Sequence, residues 1–447
     1  MKIELKRSLR LFDGLAMVVG ITIGSGIFRT PGIVAHELGR PWLTFVAWLL
    51  GGVLAFLGTL CFAELATRYP KAGGKYVYAR EAFGGRAGFV VGWVEGLVIY
   101  TAAIAALGVA AAEFAARIAS WPESATRWIA VLIVGAFTGI NLLGINAGRW
   151  VQNIVAGSKV LALGGVVLMA FVAGNGAGWR GALPGAPTGI AIFSALAAAA
   201  PPVIWSYYGS VDAGKIAEEV VEPERTLPRI FLLGIGVVSV LYLLLNAAFL
   251  HVLPFDQVAS SNLVAADVAT AIFGTQGGVI IAALALLVVL ASLNGNVFVT
   301  PRVIFGLSRD GLGPALLTRV NAGETPWTAM ALIGLVSMAL AASGTFTELI
   351  TLAVALILLI DGLTVASLFK LRARRPAPGA PGAPFLTPLY PFVPALFIAV
   401  YLALFYGTLR AQPSVVVKAV AVLLVTWGFS WLAISRADTE SHSPSPV

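Results

Sequence analysis

The chain has 447 residues, of which 59% are hydrophobic and 11% are charged, and its mean hydropathy is +0.91. This composition excludes a soluble globular domain. The formal net charge is +8, and basic loops that face anionic lipid headgroups account for it without nucleic acid as a partner.

Long apolar runs predict an all-α integral membrane protein with about 12 transmembrane helices. A helix needs about 20 apolar residues to cross the hydrocarbon layer, since its backbone polar groups must be paired within the segment. The runs lack the alternation that a membrane-spanning barrel requires. We number the predicted spans 1 to 12 in chain order: 11–35, 42–66, 87–117, 128–146, 150–174, 190–215, 229–253, 277–301, 327–343, 346–370, 389–409 and 415–434.

The distribution of Lys and Arg predicts the orientation of the chain. Cytoplasmic loops carry an excess of these residues. With the N-terminus inside, 21 of the 29 basic residues fall in inner segments and seven in outer positions, and Lys159 falls inside span 5. We therefore expect a multi-pass protein of the inner or plasma membrane with both termini in the cytoplasm. The polar tail 437–447 is expected to be disordered.

The sequence offers few groups for metal binding or covalent chemistry. Cys61 is the only cysteine and lies in an apolar run, so neither an internal disulfide nor a cysteine metal cluster is expected. The three histidines, His36, His251 and His442, are far apart in the sequence. We expect no metal, no cofactor and no enzymatic activity.

Span 1 contains the segment Gly24-Ser25-Gly26-Ile27 near its middle. Glycine permits unusual backbone dihedrals, and transporters commonly bind solutes at interrupted helices. If span 1 unwinds here, the N–H groups of Ser25, Gly26 and Ile27 begin the outer half and suit a carboxylate. The carbonyls of residues 21–23 end the inner half and suit an ammonium group. Alternatively, Gly20 and Gly24 form a packing face in an unbroken helix.

Lys159 lies about ten residues into span 5, or about 15 Å along the helix, near the centre of the bilayer. A charge at this depth is unfavourable and marks a functional residue by default. The ammonium group could neutralise carbonyls at the break in span 1, substitute for a bound cation, or titrate during transport. The alternative is a structural ion pair with Glu95 or Asp361, which also fall inside predicted spans.

Span 6 contains Pro201-Pro202, followed by Trp205, Tyr208 and Gly209. Two prolines remove two backbone donors and disturb the preceding turn, which favours unwinding. Span 6 runs antiparallel to span 1, so its outer half would end in carbonyls near residues 203–206 that accept hydrogen bonds from an ammonium group. The alternative is a proline kink that binds no ligand.

Corresponding breaks in spans 1 and 6 indicate two inverted repeats of five spans with a binding site between them. We predict a first repeat over 1–175, a second over 176–375, two further spans over 376–436 and the tail over 437–447. A zwitterion fits such a site, because helix ends of both polarities meet there.

Four sequence motifs resemble those of the amino acid-polyamine-organocation superfamily. They are GSGIF at 24–28, PKAGGKYVYAREAFG at 70–84, AEEVVEPERTLPR at 217–229 and FGLSRDGLGP at 305–314. The resemblance extends over almost the whole chain. It implies an amino acid transporter.

Within that superfamily, the segment QNIVAGSKVLAL around Lys159 is similar to span 5 of the L-type amino acid transporters and their bacterial relatives. The lysine occupies a position that forms part of a sodium site in sodium-coupled relatives, so the resemblance implies sodium-independent transport. Ser292 in span 8 is the candidate partner of Lys159. Trp205 resembles the aromatic residue that closes over the substrate from outside.

Two features depart from the family pattern, namely Pro201-Pro202 and Tyr208. The tyrosine could narrow the pocket and favour small side chains, or turn away from it. The outer loop 119–126 has no cysteine, unlike that of relatives with a disulfide-linked glycoprotein subunit. No such subunit is expected.

The sequence thus predicts secondary active, sodium-independent transport of small neutral L-amino acids by exchange or facilitated transport. Alternatives within transport are a proton-coupled symporter and a carrier of polyamines or cationic amino acids, and outside transport an integral membrane enzyme or a nutrient sensor. Lys159 and Ser292 would couple span 1 to the surrounding helices. The predicted partners are the amino acid and membrane lipid, and the predicted substrate-binding residues are Thr22, Gly24, Ser25, Gly26, Ile27, Trp205 and Tyr208.

Overall fold

A computed structural model of the chain describes residues 7–119, 121–343, 346–374 and 384–440. These residues form helices and connecting turns, with no strand among them and one isolated bridge between Leu9 and Val220. Most of the tail predicted to be disordered lies outside the described residues. The α-helices are α1 Leu11–Thr22, α2 Gly26–Leu38, α3 Pro41–Arg68, α4 Lys75–Phe83, α5 Gly85–Val94, α6 Tyr100–Ala119, α7 Thr126–Leu142, α8 Ile145–Ala173, α9 Ala191–Tyr207, α10 Pro223–Val252, α11 Phe255–Ser260, α12 Val264–Phe273, α13 Thr275–Val299, α14 Pro301–Arg309, α15 Trp327–Ser343, α16 Phe346–Leu371, α17 Phe392–Ala411 and α18 Pro413–Glu440.

The helices have the length and composition of membrane spans. Nine helical stretches in the described part of the chain can cross a bilayer, and the bent pair α1 and α2 makes a tenth. Predicted spans 4 and 9 correspond to α7 and α15, apolar helices of 17 residues each, which is at the lower end of the range of about 17–25 residues for a span. The protein is therefore an all-α, multi-pass membrane protein, and the count of 12 stays a prediction.

Four helices were not predicted as separate elements. The short helices α11 and α12 lie between spans 7 and 8, where we expected a loop. Helix α4 contains part of the motif at 70–84, and α14 contains part of the motif at 305–314. A five-residue π-helical segment, Glu95–Ile99, joins α5 to α6 within span 3.

Helix α8 illustrates how these helices divide their apolar surface between protein and lipid. Leu161, Leu168 and Val172 are exposed, whereas Leu163 and Ala170 are buried. Helices α1, α10 and α13 cover the buried face. Contiguous apolar surface of this kind is typical of contact with lipid chains, so hydropathy alone does not identify the core-facing side.

Two ion pairs, one buried and one partly buried, join the predicted loop motifs on the side of the protein where the described chain begins. The N–H groups of Ser8 and Leu9 donate to the carbonyl of Glu219. The Glu219 carboxylate is paired with Arg302 at 2.5 Å, and both side chains are buried. Glu218, the preceding residue, is paired with Arg309 at 2.6 Å. The motif at 217–229 is therefore held against α14 by two adjacent ion pairs.

We expect Arg302→Met to destabilise the protein strongly. The substitution would leave the Glu219 carboxylate buried without its cationic partner, which typically costs about 3–5 kcal/mol. The measurement is the melting temperature of the purified protein in detergent. Arg29→Gln is the control, because Arg29 pairs with Glu113 at a partly exposed position, where such pairs contribute about 0–1 kcal/mol. Equal melting temperatures for the two variants would contradict the expectation.

Candidate functional site

Span 1 is broken at the glycine-rich segment. Helix α1 ends at Thr22, α2 begins at Gly26, and the two axes differ by 42°. Ile23, the residue after α1, has φ −78° and ψ 88° and is not helical. The alternative of an unbroken helix with a glycine packing face is therefore wrong.

Four successive carbonyls at the break accept hydrogen bonds from side chains of other helices. The Lys159 ammonium group donates to the carbonyls of Gly20 and Ile23, both at 2.8 Å. The Ser292 hydroxyl donates to Ile21 at 2.5 Å, and a tyrosine hydroxyl from α10 donates to Thr22 at 2.9 Å. The last carbonyls of a helix have no partner within the helix, so these side chains replace the missing turn.

Lys159 is fully buried and also donates to the carbonyl of Val288 on α13 at 3.2 Å. The alternative of an ion pair with Glu95 or Asp361 is wrong, since both carboxylates lie beside Lys75 instead. Ser292 and Lys159 bind the same turn of α1 from different helices. A cation at the carboxyl end of a helix is electrostatically favourable.

Span 6 is interrupted later in the chain than we predicted. Helix α9 continues through Pro201-Pro202 and ends at Tyr207. Tyr208 is extended with ψ 139°, Gly209 has φ 110°, and the chain resumes as a 3-10 helix at Asp212–Glu219. The proline pair is therefore inside the first half-helix of span 6 and does not mark the break.

The surroundings of the prolines explain why the helix continues through them. Pro201 and Pro202 leave the carbonyls of Ala197 and Ala198 without their usual donors four residues later. All four residues line a second cavity of about 410 Å3 that Arg29 also lines. Backbone groups without a helical partner are tolerated in a membrane protein where they line a cavity.

Glycine is required at two places where the broken spans touch. A Cβ on Gly26 would lie 2.5 Å from Oγ of Ser206 and 3.0 Å from its Cα. A Cβ on Gly209 would lie 2.7 Å from Cγ2 of Ile21, and the positive φ of Gly209 also disfavours other residues. These contacts bring the two breaks together.

Tyr242 on α10 bridges the two breaks and was missed in the sequence analysis. Its hydroxyl lies 2.9 Å from the carbonyl of Thr22 and 3.0 Å from that of Ser206. A carbonyl has two lone pairs, so each could accept a second donor. An isolated tyrosine in an apolar span carries no sequence signal that separates it from a core aromatic residue.

The breaks enclose a small buried cavity. Its volume is about 30 Å3, close to that of one water molecule. Ile27 is buried in α2 but does not line the cavity, and Lys159 lies behind the turn that does. The cavity is lined by seven of the predicted site residues, Thr22, Gly24, Ser25, Gly26, Trp205, Tyr208 and Ser292, and by Ile21, Ala103, Leu107, Ser206 and Asn296.

Polar groups in this cavity differ in how they are paired. The Ser25 hydroxyl is buried and has no hydrogen-bond partner in the described structure. The Tyr208 ring lines the cavity, while its hydroxyl accepts a hydrogen bond of 3.1 Å from Lys75. Asn296 lies one helical turn after Ser292 and donates to its carbonyl. The spacing of four residues places Asn296 on the same face of α13 as Ser292, and it could have identified Asn296 from the sequence.

Comparison with known proteins identifies the family. Residues 9–429 match the family model described as amino acid permease. The chain belongs to the amino acid permease family. This permease is therefore a membrane transport protein and not an enzyme, and its resemblance to the larger superfamily is confirmed.

The permease is similar to characterised transporters over most of its length. It is 29% identical over 411 residues to the serine/threonine exchanger SteT of Bacillus subtilis. The aligned region covers 88% of this chain and 89% of the exchanger. It is 29% identical to the Asc-type amino acid transporter 1 of Mus musculus, over 84% of this chain and 72% of that one. The cystine/glutamate transporter of Homo sapiens is 28% identical over 89% and 79% of the two chains.

We expect Lys159→Met to lower the melting temperature of the permease in detergent. The substitution would leave three buried carbonyls without their donor, and each unsatisfied group costs about 1–3 kcal/mol. Lys418→Met is the matched control, because Lys418 is exposed on α18. A melting temperature for Lys159→Met equal to that of the control would show that the bonds to α1 contribute little to stability.

Proposed function

We propose that the protein is a sodium-independent transporter of small neutral L-amino acids that works by exchange or facilitated transport. The observation that carries this proposal is the convergence of both broken spans on one buried cavity. Such a cavity offers backbone donors and acceptors to a zwitterion in the middle of an apolar protein.

The carboxylate of the substrate would bind at the start of α2. Backbone N–H groups at the first turn of a helix have no partner within the helix and favour an anion. Gly24, Ser25 and Gly26 line the cavity at this point, and the buried Ser25 hydroxyl adds an unpartnered polar group. Ile27 does not line the cavity, but it lies in the first turn of α2 and would contribute its backbone N–H to the same anion site.

The ammonium group of the substrate would bind opposite, among carbonyls of both breaks. The carbonyls of Thr22 and Ser206 are close enough to share the Tyr242 hydroxyl, and Trp205 and Tyr208 line the same cavity. A bound ammonium group would share these acceptors with Tyr242 or displace its hydroxyl. Trp205 would close the cavity on the outer side.

The lining supports a small neutral side chain. None of the described residues that line the cavity is charged, and Ala103, Leu107 and Trp205 supply apolar surface. The hydrogen bond from Lys75 holds the Tyr208 ring against the cavity, which limits the space for a longer side chain. A polyamine or a cationic amino acid would need carboxylates here, so these substrates are disfavoured.

Sodium independence is supported by the position of Lys159. Its ammonium group already occupies a place among the carbonyls of Gly20, Ile23 and Val288, which are the kind of oxygen ligands that a cation would use. A fixed positive charge at this point removes the need for a bound metal cation.

Alternating access would complete the cycle. Ligand sites usually occupy about 300–1,000 Å3, so the cavity of about 30 Å3 must enlarge before an amino acid enters. We propose that the repeats 1–175 and 176–375 rock against each other around the two breaks. In this arrangement both termini face the cytoplasm, in accordance with the distribution of basic residues.

A partner subunit linked by a disulfide is not part of this proposal. One relative from Rattus norvegicus is named large neutral amino acids transporter small subunit 2. In the present chain the single cysteine, Cys61, is buried in α3, where it is inaccessible to a second chain.

The proposal is tested by uptake of radiolabelled L-serine and L-alanine into liposomes that contain the purified protein. We expect saturable uptake that is unchanged when sodium is replaced by potassium and is faster when the liposomes contain unlabelled L-serine. Excess L-threonine should compete, and excess L-arginine or putrescine should not. A sodium requirement, or no uptake of any amino acid in a full panel, would contradict the proposal.

We expect Gly26→Ala to abolish serine uptake, because its Cβ would collide with Ser206 at the contact between the two breaks. The matched control is Gly165→Ala in α8, where a Cβ meets nothing within 4 Å. Both variants should reach the membrane in amounts similar to the wild type, which immunoblotting of purified membranes measures. Normal uptake by Gly26→Ala would show that this close contact is unnecessary for transport.

A further inference from the structure

A group of charged side chains lies buried next to the substrate cavity, and apart from the hydrogen bond from Lys75 to Tyr208 it has no part in the mechanism above. It consists of Lys75 on α4, Glu95 at the π-helical segment of span 3, Asp212 and Lys215 on the 3-10 helix of span 6, and Asp361 on α16. We call these five residues the buried ion cluster. Each is at most 3% exposed.

The cluster is held together by ion pairs of unequal length. Lys75 lies 2.6 Å from Asp361 and 3.5 Å from Glu95. Lys215 lies 2.9 Å from Asp212 and 3.7 Å from Glu95. Each ammonium group therefore has a close carboxylate partner of its own, and Glu95 is the more distant acid for both.

The number of charges in the cluster does not balance. Three carboxylates face two ammonium groups, and in the described part of the chain no further cationic side chain pairs with these acids. An uncompensated buried charge is strongly unfavourable, and such a group takes up a proton instead. One proton would make the cluster neutral.

Hydrogen bonding and distance to the ammonium groups together point to Glu95 as the acid that holds this proton. Both of its carboxylate oxygens are buried and accept no hydrogen bond from the described residues. By contrast, Asp212 accepts hydrogen bonds from Lys215 and from the Tyr100 hydroxyl. Oδ1 of Asp361 also lacks a hydrogen bond among the described residues, but it lies 2.6 Å from the Lys75 ammonium group. The other titratable groups that face the cluster are tyrosines: Tyr78, Tyr100, Tyr208 and Tyr401.

The cluster joins the part of span 6 beyond its break to neighbouring helices. Asp212 and Lys215 follow the break directly, whereas Glu95 and Asp361 belong to spans 3 and 10. Lys75 donates to Tyr208 within the break itself. Opening the cavity toward this side would separate the part of span 6 beyond its break from spans 3 and 10 and admit water to the cluster. Water would then stabilise the charged carboxylate, so Glu95 would no longer need a proton.

We propose that Glu95 is a proton-binding site, and that its proton stabilises the conformation in which the side of the cavity next to the cluster is closed. A ligand that binds one conformation preferentially shifts the equilibrium toward it. Acidification therefore favours closure on this side, and a rise in pH favours opening. The proton site stands on the cluster alone, whereas the effect on opening rests on the proposed transport function.

The proton site is tested by infrared difference spectroscopy of the purified wild-type protein during a pH titration. We expect a band from a protonated carboxyl group that disappears on alkalinisation and is absent in Glu95→Gln. Glu95→Asp, which keeps an acid, should retain a band. Glu64→Gln is the control, since Glu64 is buried but is paired with Arg68 at 2.8 Å and accepts the N–H of Thr387, so its replacement should leave the band unchanged.

A second variant separates the charge count from a structural effect at Glu95. Asp212→Asn leaves two acids and two ammonium groups, so its cluster is neutral without a proton even though Glu95 is present. We expect the band to be lost in Asp212→Asn. Absence of the band in the wild type, or its persistence in Glu95→Gln, overturns the proton site.

The effect on opening is tested by serine exchange in liposomes at several values of pH. Exchange by the wild type should vary with pH, and Glu95→Gln, which imitates the protonated acid, should lose this dependence. An unchanged pH profile in Glu95→Gln overturns the link to opening while the infrared result still decides the proton site. If the wild type transports no amino acid, the proposed function fails and the infrared result again stands by itself.

Discussion

The structure depends on how the carbonyls released at the break in span 1 are satisfied. In a bilayer an unpaired backbone group costs several kcal/mol, so a helix can end at the midplane only if other helices supply donors. Lys159 and Ser292, from α8 and α13, do this for residues 20, 21 and 23, and Tyr242 from α10 does it for Thr22. The break in span 1 is therefore stabilised jointly by α8, α10 and α13. The same hydrogen bonds stabilise the break and explain why polar side chains are gathered around it.

The second break has a different origin, and the two together create the cavity. The first helix of span 6 ends at Tyr207, and Gly209 then allows the chain to pass against Ile21 and Thr22. Because Tyr242 contacts carbonyls of both breaks, the breaks are held in register. In the proposed rocking of the two repeats, the contact between Tyr242 and the carbonyl of Thr22 would have to change.

Two buried cationic sites in this protein are compensated in contrasting ways. Among the described residues the partners of Lys159 are all carbonyls, so a full charge is balanced by partial charges at a helix end. Lys75 and Lys215 have carboxylate partners, and their cluster contains one acid more than it has bases. The first arrangement completes the end of a helix that lines the cavity. The second is suited to the uptake of a proton and contacts the cavity through Tyr208.

The sequence by itself determined that the protein is an all-α membrane protein, and it marked Gly24–Gly26 as a possible break in span 1 and Lys159 as exceptional. These features are local, because they follow from apolar run length, glycine spacing and one charge in an apolar run. Only the tertiary structure decided the partners of Lys159, the role of Tyr242 and the true break in span 6 at Tyr208 and Gly209. Pro201-Pro202 suggested an earlier break, but the carbonyls that they release line a cavity. Such pairings join residues that are distant in sequence, so no local pattern contains them.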